Sequence, residues 1–304
     1  APQARSGASM VINSRSAYLF GGASTGNSVL SDLFMLHLGG GATTTPTWET
    51  ITSNVTGTPP SARTEHSAST CDLLNIGGAP KGMLLFGGVD GTGTALADLH
   101  SLQLDTLTWR QVSPTGTLPQ ARKGHKSVLL LNSLLAIYGG SNPQVPVHYS
   151  DVHILDIARN VWIQPSAVSS SNQPVGRDGH SMVAIGDTVY IFGGVSARGE
   201  KLSDLWSFNA YAAASGQLRW SQPVGMSTIP AARWGHVGLG YSGDSMAILG
   251  GAGPADAFLA DIHVISTGCS GELTLASARG VFSDGDGKYR NNLDCRWVLA
   301  PTLP

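Results

Sequence analysis

The chain has 304 residues, 18 Lys and Arg against 20 Asp and Glu, and a formal net charge of −2. Charged residues are 12% of the total, about half the roughly 25% usual in globular proteins, while 41% are hydrophobic and 39 are Gly. This excludes a disordered chain; without a Lys/Arg run it lacks the footprint of a nucleic-acid binder, and no apolar stretch reaches the ~18 residues of a membrane span.

Read from the N-terminus, the chain repeats one order of parts. The first unit has Pro2 and Arg5, an apolar run into Gly21-Gly22, a Ser-Asp pair at Asp32, and Trp48. The second has Pro60, Arg63, Gly87-Gly88, Asp98 and Trp109. The third has Pro119, Arg122, Gly139-Gly140, Asp151 and Trp162, and the fourth Pro174, Arg177, Gly193-Gly194, Asp204 and Trp220. The fifth has Pro230, Arg233, Gly250-Gly251 and Asp261, without the closing Trp. Each Asp follows its dyad by 11 or 12 residues. Within a unit the hydrophobic period is two, as in Asp204-Leu205-Trp206-Ser207-Phe208, the mark of a half-buried strand; short unbroken runs such as Thr188–Phe192 mark buried ones. Each unit therefore reads as four strands, and no window suits a helix. A four-stranded unit cannot cover both its faces alone, and radial stacking on neighbours does so, which makes an all-β propeller of at least five repeats.

These markers resemble the kelch family, whose repeat sets a Gly-Gly dyad after an apolar strand and a Trp about 20 residues later. The resemblance covers residues 2 to about 265 and implies a kelch-type β-propeller over 1–267. The dyads are expected to supply positive φ and close backbone approach, the Trp to pack between blades, and the Asp to cap the turn before the third strand. Five blades are a minimum, and the outer strand absent from the fifth unit is expected upstream of Ala1. Ala1 itself reads as a processed or truncated start.

The tail differs. Cys269 is followed by a Gly-rich stretch, Tyr289, Asn291-Asn292, and Cys295-Arg-Trp297. This resembles the opening of a CUB domain, so 268–304 is expected to be a partial CUB-like β segment. The resemblance implies a Cys269–Cys295 disulfide and an oxidising compartment; two unpaired thiols are the other reading. Asn54-Val55-Thr56 is an N-glycosylation sequon, which fits an extracellular or cell-surface glycoprotein.

In some kelch proteins that bind peptides, arginines opening the inner strand line the channel mouth. Here those places are Arg63, Arg122, Arg177 and Arg233, with Arg5. A regular Arg in every unit also suits a structural role, whereas the next residue varies: Ser6, Thr64, Lys123, Asp178 and Trp234. The candidate binding set is therefore Arg63, Arg122, Lys123, Arg177, Asp178, Arg233 and Trp234, with Trp234 the main anchor for a peptide or sugar or else packed between blades. His66, His125, His180 and His236, one per unit, suggest a repeated structural hydrogen bond, because a metal needs ligands that converge. A galactose-oxidase-like copper site lacks its Tyr and Cys set, Glu200 and Asp204 match an iron motif whose third place holds Phe208, and Asp284-Gly-Asp286 lacks the far acid of a calcium loop. No catalytic residue, metal or cofactor is expected. The reading is a non-enzymatic extracellular adhesion or assembly scaffold that binds a protein or a glycan. The first alternative is an intracellular kelch adaptor, and the second a galactose-oxidase-like copper oxidase.

Overall fold

The computed structural model describes residues 1–39, 45–71, 81–130, 133–168, 172–223, 229–241 and 245–266, and the backbone of two three-residue strands, Leu273–Leu275 and Trp297–Leu299, paired in parallel. Antiparallel blades follow one another through 1–266. Blade 2 shows the plan: inner strand Ser67–Cys71, then Gly82–Val89, Ala95–Gln103 and outer strand Thr108–Val112. Blades 1 and 3 repeat it with inner strands Ser9–Asn13 and Lys126–Leu130. Blade 4 is described by Ser181–Ile185, Thr188–Phe192 and Leu205–Asn209, and blade 5 by Val237–Tyr241, Ser245–Leu249 and Ile262–Ser266.

Two features depart from the expected four-stranded unit. A short piece of the preceding link, Thr56–Gly57 or Thr115–Gly116, adds in parallel outside the Trp-bearing strand of blade 2 or 3. The link runs along the next blade's outer edge and uses hydrogen bonds that the outer strand would otherwise leave to water. The second departure is a one-turn helix, Ala210–Ala214, capped by Asn209 through its side-chain oxygen to the Ala212 N–H at 2.9 Å. A single turn is too short to leave a periodic signal, and it corrects the expectation that no window suits a helix.

Blades pack face to face, and Trp109, Trp162 and Trp220 sit at these joints as expected, whereas Trp48 packs against Phe34 of its own blade at 6.4 Å. Trp109 meets Phe20 of blade 1 edge-on at 5.3 Å, Trp162 lies 5.7 Å from Phe86, and Trp220 meets Tyr138 at 5.4 Å. The apolar core is correspondingly divided into one cluster per joint. Both glycines of every dyad have positive φ, as in Gly139 at 69° and Gly140 at 91°. A Cβ on Gly139 would stand 2.6 Å from the Arg177 carbonyl oxygen of the next blade, so this position needs glycine for conformation and for clearance.

Backbone hydrogen bonds repeat at each joint in a set of three. At the joint of blades 2 and 3, the Arg122 N–H donates to the Leu96 carbonyl at 3.0 Å, Gly88 donates to the Arg122 carbonyl at 2.9 Å, and Gly124 donates to the Glu65 carbonyl at 2.9 Å. The same set recurs around Arg63, Arg177 and Arg233. Its third member forms a belt around the channel mouth through Gly7, Glu65, Gly124, Gly179 and Gly235, all at positive φ.

Candidate functional site: the channel mouth

The repeated arginine is the centre of each blade's upper end. Arg63, Arg122, Arg177 and Arg233 are fully buried. Arg122 donates from Nη1 and Nη2 to the two carboxylate oxygens of Asp151 at 2.7 and 2.9 Å, from Nη1 to the Gly139 carbonyl, and from Nε to the Gln120 carbonyl. Arg63 with Asp98, Arg177 with Asp204 and Arg233 with Asp261 form the same fork, the two-point geometry that guanidinium and carboxylate share. Burial pushes the Asp98 and Asp151 carboxyls up, but the paired arginines and a histidine two residues on, His100 or His153, hold them well below the ordinary carboxylate range. In blade 4 Trp206 replaces that histidine and donates from Nε1 to Asp204 at 2.7 Å. The aspartates therefore hold arginines rather than cap turns. Of the seven candidate residues, the four arginines lie beneath the surface with their donors turned inward.

The four inner histidines are also structural. His66 pairs with Ser9 at 2.7 Å, His125 with Ser67 at 2.9 Å and His236 with Ser181 at 2.9 Å, each across a joint. His180 faces the place of Lys126 instead of a serine, and neither of its ring nitrogens has a hydrogen-bond partner among the described residues. Burial, then the charge of the neighbouring Arg63, lowers His66 to about 3. Burial and Arg233 lower His236 to about 4, and His125 and His180 fall well below the usual value for the same reasons.

The residues after the arginines share one backbone place. Each pairs in β fashion with the residue that follows its own dyad: Ser6 with Ala23, Thr64 with Val89, Lys123 with Ser141, Asp178 with Val195 and Trp234 with Ala252. Ser6, Lys123, Asp178 and Trp234 reach the rim, whereas Thr64 is buried and donates from Oγ1 to the Ser6 carbonyl. Lys123 donates to both carboxylate oxygens of Glu65 at 3.0 and 2.8 Å. Asp178 accepts from the Ser141 hydroxyl at 2.7 Å and lies 3.4 Å from His148. Trp234, 40% exposed, lies over Gly179 of blade 4 and points Nε1 at Asp256, which Lys201 holds at 2.8 Å. Glu65 is the member of this site that a motif reading passes over. It takes φ 55° where the other four blades have Gly7, Gly124, Gly179 and Gly235. Its signal in the sequence is the break in Arg-x-Gly at unit two.

Fold and repeated joints together define a β-propeller built from one recurring blade. The profile of the KLHDC2/KLHL20/DRC7 Kelch-repeats domain matches residues 1–194 and, overlapping, 79–270, and the chain belongs to that kelch-repeat family. It is 28% identical over 264 residues to kelch domain-containing protein 3 of Rattus norvegicus, covering 84% of this chain and 63% of that protein. It is 34% identical over 114 residues to acyl-CoA-binding domain-containing protein 4 of Arabidopsis thaliana, covering 38% and 16%, and 30% identical over 221 residues to the host cell factor homolog hcf-1 of Caenorhabditis elegans, covering 64% and 27%. The chain thus spans less than two thirds of the length of each of these relatives.

The family match stops at residue 270 and gives the CUB-like reading of the tail no support. Cys269 and Cys295 lie outside the described residues. Asn54 closes an exposed 3-10 turn, Thr52–Asn54. The extracellular and adhesive parts of the expectation find no counterpart in these relatives; the adaptor alternative fits them better.

Proposed function

We propose that this chain is a kelch adaptor module that holds a segment of a partner protein over the channel mouth, without chemistry of its own. The observation that carries this is the rim itself: at equivalent backbone positions, above arginines sealed into ion pairs, stand the accessible and dissimilar Ser6, Lys123, Asp178 and Trp234. A purely structural rim would repeat its side chains as the arginines do. Glu65 supports the reading. A non-glycine residue in the left-handed region costs roughly 1–2 kcal/mol, and here it stands in the belt where the other four blades have glycine and sets a carboxylate against Lys123.

The test is selection of displayed peptides on the purified protein, repeated with Trp234→Ala and Glu65→Gly. Peptides whose binding falls at least tenfold in both variants support the reading; peptides indifferent to both, or none recovered, refute it. Glu65→Gly is the sharper variant, because it relieves the backbone and is expected to keep or raise the melting temperature while binding is lost. The extracellular placement is a separate proposal. Intact mass of the native protein, before and after reduction and deglycosylation, decides it: sugar on Asn54 with a Cys269–Cys295 bond supports it, and a bare Asn54 with free thiols overturns it.

A further inference from the structure

Four of the five inner strands open with an uncharged side chain: Ser9, Ser67, Ser181 and Val237. The third opens with Lys126, the one charged residue on any of these strands. All five places lie two residues past the belt of Gly7, Glu65, Gly124, Gly179 and Gly235, and so stand just below the channel mouth. A serine here meets the histidine of the next blade, as at His66, His125 and His236. The lysine stem carries its amine past the place of that hydroxyl, and His180 keeps both ring nitrogens without a partner among the described residues.

Two observations put this amine in the lumen. Lys126 is exposed, yet desolvation holds its amine below the ordinary lysine range; a side chain that water reaches along a channel, with protein on its other sides, has both properties. After burial and the neighbouring arginine, its charge is also the next influence on His125, His180 and His236, histidines of three different blades. The anion that faces it is Glu65, whose charge works in the opposite direction, but both Glu65 oxygens are taken by Lys123. Lys126 makes no hydrogen bond or ion pair among the described residues. Lys123 and Lys201, by contrast, are held by Glu65 and Asp256, each at 2.8 Å.

An amine attacks a carbonyl only when it is neutral, and lysines become nucleophiles where they are desolvated and lack a paired carboxylate. We propose that Lys126 is a covalent capture site for small aldehydes that enter through the channel mouth. The lone pair of the neutral amine attacks the carbonyl carbon, and a proton passes from nitrogen to oxygen through water to give the carbinolamine. Loss of one water then leaves a C=N bond at Nζ. Nothing is oxidised or reduced, and hydrolysis reverses the step. Position selects the aldehyde by size, because the amine lies behind the belt rather than on the rim. The site is separate from the peptide reading, since it uses none of the rim side chains Ser6, Asp178 and Trp234.

The test is reductive alkylation of the unaltered protein with propanal and cyanoborohydride at pH 7, with the rate at each lysine read by peptide mass. Modification of Lys126 at least tenfold faster than of Lys123 and Lys201 supports the proposal; equal or slower modification overturns it. A pyrene aldehyde, too wide for the lumen, should lose the preference, and a tenfold preference that persists with it overturns the placement behind the belt. The rate at Lys126 should level off at a lower pH than the rate at Lys201, and coincident pH profiles count against the proposal. Lys126→Arg keeps the positive charge and should abolish the fast phase at an unchanged melting temperature. If that variant fails to fold, the site-resolved rates in the unaltered protein decide.

Discussion

Acid should unfold this propeller well before its carboxylates protonate, and the buried histidines set the amount. His66, His125, His180 and His236 are neutral in the folded protein because burial, and then an adjacent arginine, penalise their charged forms. Their folded values lie below the unfolded value of 6.5, so below pH 6.5 the unfolded chain binds protons that the folded one does not. Stability is therefore intact above that pH and is lost as pH falls from 6.5 toward about 4, where His236 begins to titrate in place. Between pH 7.5 and 5.5 each histidine removes about 1.4 kcal/mol, and the four together about 5.5 kcal/mol, a large part of a typical domain's 5–15 kcal/mol. The assay is the urea midpoint by Trp fluorescence at half-unit pH steps. His125→Gln keeps a hydrogen-bonding group toward Ser67 and should lessen the pH slope by about one quarter. A midpoint that stays constant over that range, or a variant with the wild-type slope, would refute the reasoning. The Arg-paired aspartates act in a different window: their lowered values keep their contribution in place down to about pH 3.8, and it fades only below.

Arg122→Met removes a buried guanidinium and leaves Asp151 unpaired, and should cost about 3–5 kcal/mol. Arg122→Lys keeps the charge but not the fork; a melting temperature equal to wild type would show that the fork is not what holds the blade. Gly139→Ala and Gly186→Ala both place alanine at positive φ, but only the first puts a Cβ against the next blade, 2.6 Å from the Arg177 carbonyl, while Gly186 has open space. The first should therefore cost at least ~2 kcal/mol more than the second by thermal melting, and equal costs would contradict the close approach. Lys126→Ser should supply His180 with the partner that His66, His125 and His236 have, raising stability by about 1 kcal/mol; a loss would assign Lys126 a structural role of its own.

Blade number within 1–266, strand order and the joint-packing Trp residues were legible in the chain, because each depends on local pattern repeated at nearly constant spacing. Alternation along Leu205–Asn209 needs only the pleat, and the positive φ of Gly193-Gly194 only the missing side chain. The candidate site was half legible. Lys123, Asp178 and Trp234 do come to the rim, since position in the repeat puts them there. Arg63, Arg122, Arg177 and Arg233 share the same motif and go inward. The difference is the aspartate 27–35 residues further on, whose carboxylate meets the guanidinium only after two strands have formed and the chain has turned into the third. Glu65 is similar: its left-handed backbone and its grip on Lys123 from 58 residues away require two blades side by side. The sequence by itself determined the blade, through local periodicity and turn chemistry. Only the tertiary structure decided which charges are spent inside and which face the mouth, because those outcomes depend on where distant segments arrive in space.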